Sequence, residues 1–382
     1  MAILKGWGGY PVVNANMIYP STENALRSSL SKQVIARGMG RSYGDSANAS
    51  EVINTQYLDH FLNFDKKRGT LTCESGVPIR QILKLIVSNG WFLPVLPGTS
   101  YVSLGGAIAS DIHGKNHHLK GTFCKYVESM RILLGNGEIV TTSPNLLPDL
   151  FNATCGGMGL TGIILSATIK LCTINSRRII QTRIKTKCVD EVYEKFNEYN
   201  NASYIVAWID TLATGPNLGR GIVIIGEHET DFYSPYFNQK SFLNIPINAP
   251  DYLLNKATLS MFNFLYYGKS PSHSVDKVEI SEYFFPLDTV KNWNKLYGKS
   301  GFVQYQFVLP KKDGLKNMRA ILEIIANSDL NSYLTVLKNF GAQNQNLLSF
   351  PMAGYTLSLD FKWNLKTKKL LSELDTLVAE KG

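Results

Sequence analysis

The chain has 382 residues, 44% of them hydrophobic and 18% charged, and 39 Lys and Arg against 30 Asp and Glu leave a formal charge of +9. A chain this long buries enough surface to fold without disulfide staples and has room for two domains; its low charge and many aromatics exclude disorder. No stretch approaches the ~20 apolar residues of a membrane span, and Met1 to Trp7 shows no secretory leader pattern, so a cytoplasmic enzyme is expected. The positive balance suggests an anionic partner, but basic runs such as Lys66-Lys67-Arg68 are too short to point to nucleic acid. The five cysteines, Cys73, Cys124, Cys155, Cys172 and Cys188, are scattered without CxxC spacing. They read as buried small residues in reducing surroundings.

In chain order, Gln33 to Ala36 reads as a short strand, and Thr70 to Glu74 as another. Pro78 opens a helix whose apolar residues follow a 3.6 period until Gly90. Tyr126 to Leu134 and Glu138 to Thr142 flank Gly135-Asn136-Gly137, a hairpin turn signal. A helix over Leu146 to Thr154 and a strand over Ile163 to Leu171 follow. From about Thr173, helical segments (Val189 to Tyr199, Leu315 to Ala326) alternate with strands at Tyr204 to Ile209, Gly221 to Ile225, Phe302 to Leu309, Tyr333 to Leu337 and Tyr355 to Phe361. Between Asp231 and Lys277 no periodicity is clean, and a long insertion is expected there. The order is α+β, unlike the regular alternation of a doubly wound parallel sheet.

Three glycine sets carry the chemistry. Ala36 to Ser46 holds Gly38, Gly40 and Gly44 after a strand, leaving N–H groups free to converge on an anion, with Arg37 and Arg41 adding charge. Its G-x-G-x-x-x-G spacing with no following helix separates it from the Rossmann fingerprint. A plain surface turn remains the alternative. Pro97-Gly98-Thr99 with Ser103 to Ser110, and Gly156 to Gly162, also allow close backbone approach; together they suggest one extended ligand such as a dinucleotide. Between them lies Asp111-Ile112-His113-Gly114-Lys115-Asn116-His117-His118. Its histidine spacing does not suit a metal site and fits a polar pocket wall better.

These motifs, with Gly159-Leu160-Thr161-Gly162-Ile163-Ile164, resemble in the same order the flavoproteins of the vanillyl-alcohol oxidase superfamily, and within it the branch that oxidises decaprenylphosphoryl ribose. The likeness runs on through Pro286-Leu287-Asp288, Gly301 to Phe307, Lys338 to Gly341 and Leu348 to Pro351, so it covers essentially the whole chain. It implies an α+β fold: a PCMH-type FAD-binding domain over 1–173, then an antiparallel-sheet substrate (cap) domain over 174–382. It implies that Ala36, Arg37, Gly38, Met39, Gly40, Arg41, Ser42, Tyr43, Gly44, Asp45 and Ser46 wrap the FAD pyrophosphate. Gly98, Ser103, Leu104, Gly105, Gly106, Ser110, Asp111, Ile112, His113 and Ile164 would line the rest of the cofactor. Arg41 stands where covalently tethering members carry a histidine, so non-covalent FAD is implied. His113 and Lys115 match catalytic positions, and Tyr43, Lys115, Gln306 and Lys338 match positions that face the substrate.

The implied reaction oxidises a secondary hydroxyl of a sugar, the 2′-OH of a polyprenylphosphoryl pentose, with a partner reductase completing an epimerisation. Peripheral contact with the inner face of a membrane is also implied. The alternatives are an aldonolactone or sugar-alcohol oxidase of the same superfamily, or a flavin-binding remnant without activity. Two departures stand out. Ser358 occupies a position where the oxidases carry cysteine. Relatives also continue past a helix like Leu370 to Ala379 with a lysine-bearing strand and a closing helix, which this chain is expected to lack.

Overall fold

The computed structural model describes residues 1–30, 33–231, 236, 237, 239, 241–250, 252–328, 330 and 332–381. The first part holds two larger sheets and a short pair, Trp91–Phe92 with Cys172–Thr173. Ala2–Lys5 pairs antiparallel with Val12–Ile18, whose other neighbour, Glu51–Asn54, runs parallel to it and to Ile35–Arg37. An antiparallel sheet follows, ordered Phe61–Asp65, Thr70–Glu74, Ile163–Lys170, Val127–Leu133, Ile139–Thr142. The helix Ile79–Val87 buries Ile79, Ile82, Leu83 and Ile86 against this part's core, as its period predicts. The hairpin expected at Gly135 to Gly137 is present, with Gly137 at φ 85°.

The second part is a seven-stranded antiparallel sheet, ordered His273–Glu279, Arg178–Thr186, Gly221–His228, Tyr204–Ile209, Thr335–Phe340, Gly354–Lys362, Phe302–Pro310. Side-chain alternation gives it two different faces. Ile205, Ala207, Phe307, Leu309, Leu337, Leu357 and Leu359 share a core with residues of the helices Val189–Glu198, Gly314–Asn327 and Leu365–Lys381. The opposite face carries Gln304, Gln306, Val336, Lys338 and Ser358 and closes over the first part. Apolar packing also crosses between the two parts, because Ile179, Tyr204, Tyr283 and Phe284 belong to the same core as Ile82 and Phe92. The result is a two-domain α+β fold.

The segment expected to be a long insertion instead contains the helix Lys256–Lys269 and the edge strand His273–Glu279. Residues 232–235, 238, 240 and 251 of that expectation lie outside the described residues. The helix escaped the periodicity argument because it buries Asn263 while exposing Met261 and Phe264. The strand escaped because an edge strand held by backbone pairing needs no apolar alternation. Cys73, Cys124 and Cys155 are buried as expected, whereas Cys172 and Cys188 are half-buried.

Candidate active site

Two cavities adjoin, one within the first domain and one between it and the cap sheet. The smaller, about 200 Å³, is walled by Ala36, Gly38, Met39, Gly40, Ser103, Gly105, Gly106 and Ile164. The larger, about 850 Å³, is bounded by Tyr43, Gly44, Gly98 and His113 from the first domain and by Gln306 and Lys338 from the cap sheet. Arg41, Ser42, Ser46, Ser110 and Ile112 face both. Three loops distant in sequence therefore meet at one place.

Their shapes follow from local chemistry. The N–H groups of Met39 to Ser46 meet no protein acceptor among the described residues, so this loop presents donors. Gly38 touches the start of the helix Leu104–Ala109: a Cβ there would collide with Ser103 Oγ, the side chain that caps Gly106 N at 3.2 Å. Arg41 stacks on Trp7, its guanidinium carbon 3.9 Å from the ring centroid, and burial lowers its pKa. Trp7 N donates to Ser42 O at 2.8 Å and Phe302 N donates to Gly8 O at 2.7 Å, so the N-terminal segment ties the loop to the cap sheet. Asp288 anchors the 98–101 turn by accepting from Thr99 Oγ1, Ser100 N and Ser100 Oγ.

Five of the predicted residues line neither cavity. Arg37 turns its guanidinium inward to Lys5 O, Ala47 O and Asn48 Oδ1, so it braces the loop and adds no charge to a ligand site. Asp45 is exposed, and Leu104 is fully buried in the core. Asp111 has its carboxylate filled by Cys124 N, Asn344 Nδ2, Asn346 Nδ2 and Ser349 Oγ, and so clamps the 344–349 loop to the first domain. Lys115 donates to Tyr283 O and lies over the Tyr283 ring, its pKa lowered by burial to about 7. It is a buried tie to the cap and does not reach the cavity. His117 and His118 are also engaged by backbone, at Gly341 N and Ala202 O.

At the far end of the larger cavity the electrostatics sharpen. Lys338 has no carboxylate partner among the described residues, and burial drops its pKa from 10.5 to about 8. Burial, with Lys338 and His117 nearby, holds the His113 pKa well below its ordinary value, so the imidazole is neutral; its Nδ1 is buried without a partner. Gln306 Nε2 donates to Thr356 Oγ1 at 3.1 Å. Asp360 accepts from Gln304 Nε2 at 2.9 Å, and burial raises its pKa to about 7. Sequence reasoning missed Gln304 and Asp360. Their signal was present in the alternation of Gln304 and Gln306, and of Thr356, Ser358 and Asp360, with apolar residues between them.

Residues 19–143 match the model of an FAD-binding domain family. Across 399 aligned residues, 99% of this chain and 86% of the relative, the sequence is 35% identical to decaprenylphosphoryl-β-D-ribose oxidase of Mycolicibacterium smegmatis. The chain belongs to the decaprenylphosphoryl-β-D-ribose oxidase family. It is accordingly an FAD-dependent oxidoreductase. L-gulonolactone oxidase 5 of Arabidopsis thaliana is 31% identical over 175 residues, 41% of this chain and 30% of that protein. The fold also matches the solved Physcomitrella patens BBE-like 1, with a TM-score of 0.67 and 14% identity, covering 96% of this chain and 81% of that one.

The residues present fit FAD. Among the lining residues, Ser75 of the smaller cavity and His113 of the larger each have a buried polar atom without a partner, Oγ and Nδ1. Buried polar atoms of this kind call for a ligand's complementary groups. Gly98 has open space where a Cβ would stand, leaving its backbone free to approach a flat ring. No helix among the described residues is long and apolar enough to cross a membrane.

Proposed function

We propose that this family member oxidises the 2′-hydroxyl of a polyprenylphosphoryl pentose, ribose being the sugar, through non-covalent FAD. The observation that carries this reading is the 35% identity along 99% of the chain to an oxidase named for that substrate. The lactone oxidase likeness covers 41% of the chain, which leaves most of it without a counterpart there.

Bound FAD supplies the hydride acceptor. The chain's own residues supply the rest. Lys338, a cation without a counter-charge among the described residues, suits the sugar phosphate, whose binding would relieve part of its burial penalty. The neutral His113 on the cavity wall offers its imidazole as acceptor for the hydroxyl being oxidised, which fixes its orientation and receives its proton. Gln306, Gln304 and Tyr43 hold the sugar in register. Arg41 on Trp7 takes the place of a tethering histidine. A keto sugar product requires a second oxidoreductase to reduce it if the sequence is an epimerisation, and a prenyl tail requires contact with a bilayer; the +9 charge favours an anionic one.

The test is anaerobic bleaching of the oxidised flavin band of holoenzyme by a short-chain prenylphosphoryl ribose. Bleaching by that substrate but not by free ribose or L-gulono-1,4-lactone supports the reading. Bleaching by the lactone alone would replace it with the aldonolactone oxidase alternative.

A further inference from the structure

The helix Lys256–Lys269 carries large apolar side chains on its outer face. Its inner face buries Leu259 completely beside Asn263, which is 3% exposed and donates to Asp210 Oδ1 at 2.6 Å, and Tyr267 Oη donates to Thr186 O at 3.0 Å. Its outer face shows Met261 at 61% and Phe264 at 69% exposure, with Phe262 and Leu265 beside them. A helix that merely covers a sheet would leave a polar outer face. The preceding segment repeats the pattern, with Phe242 76% exposed and Leu243 and Ile247 open to solvent.

This apolar surface adjoins the larger cavity. Leu243–Asn244 pairs with Val290–Lys291, and both Val290 and Lys291 line the cavity. The helix begins at the same rim, where Asn255 O accepts from Tyr333 Oη at 3.1 Å, next to the lining residue Leu334. Residues 241–275 carry one acid, Asp251, while Lys256 and Lys269 lie on them and Lys291 and Lys295 beside them. A bulky apolar face bordered by lysines and poor in acids has the chemistry of an anionic lipid interface.

We propose that residues 241–250 and 252–269 form the surface that docks the enzyme on an anionic phospholipid bilayer, placing the cavity mouth where a lipid-linked sugar phosphate leaves the membrane. The inference rests on the proposed substrate class only for the purpose of docking; the surface itself is read from exposure and charge.

The test is co-sedimentation of the full-length holoprotein with vesicles of phosphatidylcholine alone or with phosphatidylglycerol, without sugar substrate. Wild type should sediment with the anionic vesicles at least tenfold more strongly than with the neutral ones, and raised salt should weaken the binding. The double variant Met261→Glu, Phe264→Glu should lose at least tenfold of that binding with flavin content and Tm unchanged, because neither side chain is buried. The single variant Lys256→Glu should lose part of it. Equal sedimentation of wild type and double variant would overturn the proposal. So would a wild-type dimer that the variant dissociates, which would make the face a contact between copies. Vesicle binding without flavin bleaching by the prenylphosphoryl sugar would refute the substrate reading alone; bleaching without vesicle binding would refute the docking surface alone.

Discussion

Lys338→Met should make the enzyme more stable and less able to bind its substrate. The wild-type ammonium is held by burial at a pKa of about 8 against 10.5 in water, a penalty on the charged form of about 3 kcal/mol. Between these two values the unfolded chain binds more protons at this position than the folded one. The lysine therefore contributes stability that rises with pH from about 8 to 10.5, and below pH 8 its full cost is present. Methionine fills the stem's space without a charge, so at neutral pH the holoenzyme variant should gain about 1.5–3 kcal/mol, or roughly 2–4 °C in Tm for a chain of this size. The gap should narrow as pH climbs above 8 and the wild-type lysine discharges. Loss of a charged contact to phosphate should raise KM for a prenylphosphoryl sugar by roughly tenfold to a hundredfold, equivalent to ~1.5–3 kcal/mol. Melting curves from neutral to alkaline pH, with parallel flavin-reduction kinetics, measure both. A variant less stable than wild type at pH 7, or a gap indifferent to pH, would refute the picture of an unpaired buried cation.

Gly38→Ala should push Ser103 off its cap on Gly106 N, cost about 1 kcal/mol and lower FAD content; in a Ser103→Ala background the same change should cost measurably less, as a double-mutant cycle by urea unfolding would show. Acid precipitation should leave the flavin in the supernatant, because Arg41 stacks on Trp7 in the tethering position; a yellow washed pellet would contradict this. Asp111→Ala should free the 344–349 loop, seen as faster amide exchange there and a melting temperature lower by several degrees, since four donors lose their acceptor. The rate of flavin reduction should show no histidine inflection between about pH 6 and 7.5, because burial keeps His113 neutral; His113→Gln should lower that rate by about 10²–10⁴-fold.

Much of the first domain was legible because its signals are local. The glycine sets, the helix after Pro78 and the hairpin at Gly135 to Gly137 depend on backbone freedom and short-range periodicity, which a linear sequence displays directly. The order of the motifs was also enough to suggest the flavoprotein family and many of the residues that line the two cavities. Charge roles were not legible. Arg37, Asp111 and Lys115 are polar residues inside suggestive motifs, yet each is consumed by partners 10 to 238 residues away. Whether a side chain faces a ligand or satisfies a distant backbone depends on which atoms the fold brings within hydrogen-bond reach. The same holds for Lys338, which only the closure of the cap sheet over the flavin side turns from a strand residue into an isolated cation. It holds again for the helix Lys256–Lys269, where Asp210, far along the chain, binds Asn263 on the inner face while Met261 and Phe264 lie outward. Composition and spacing set which groups were available; long-range packing decided which of them were left without a partner, and those are the groups that remain free to act.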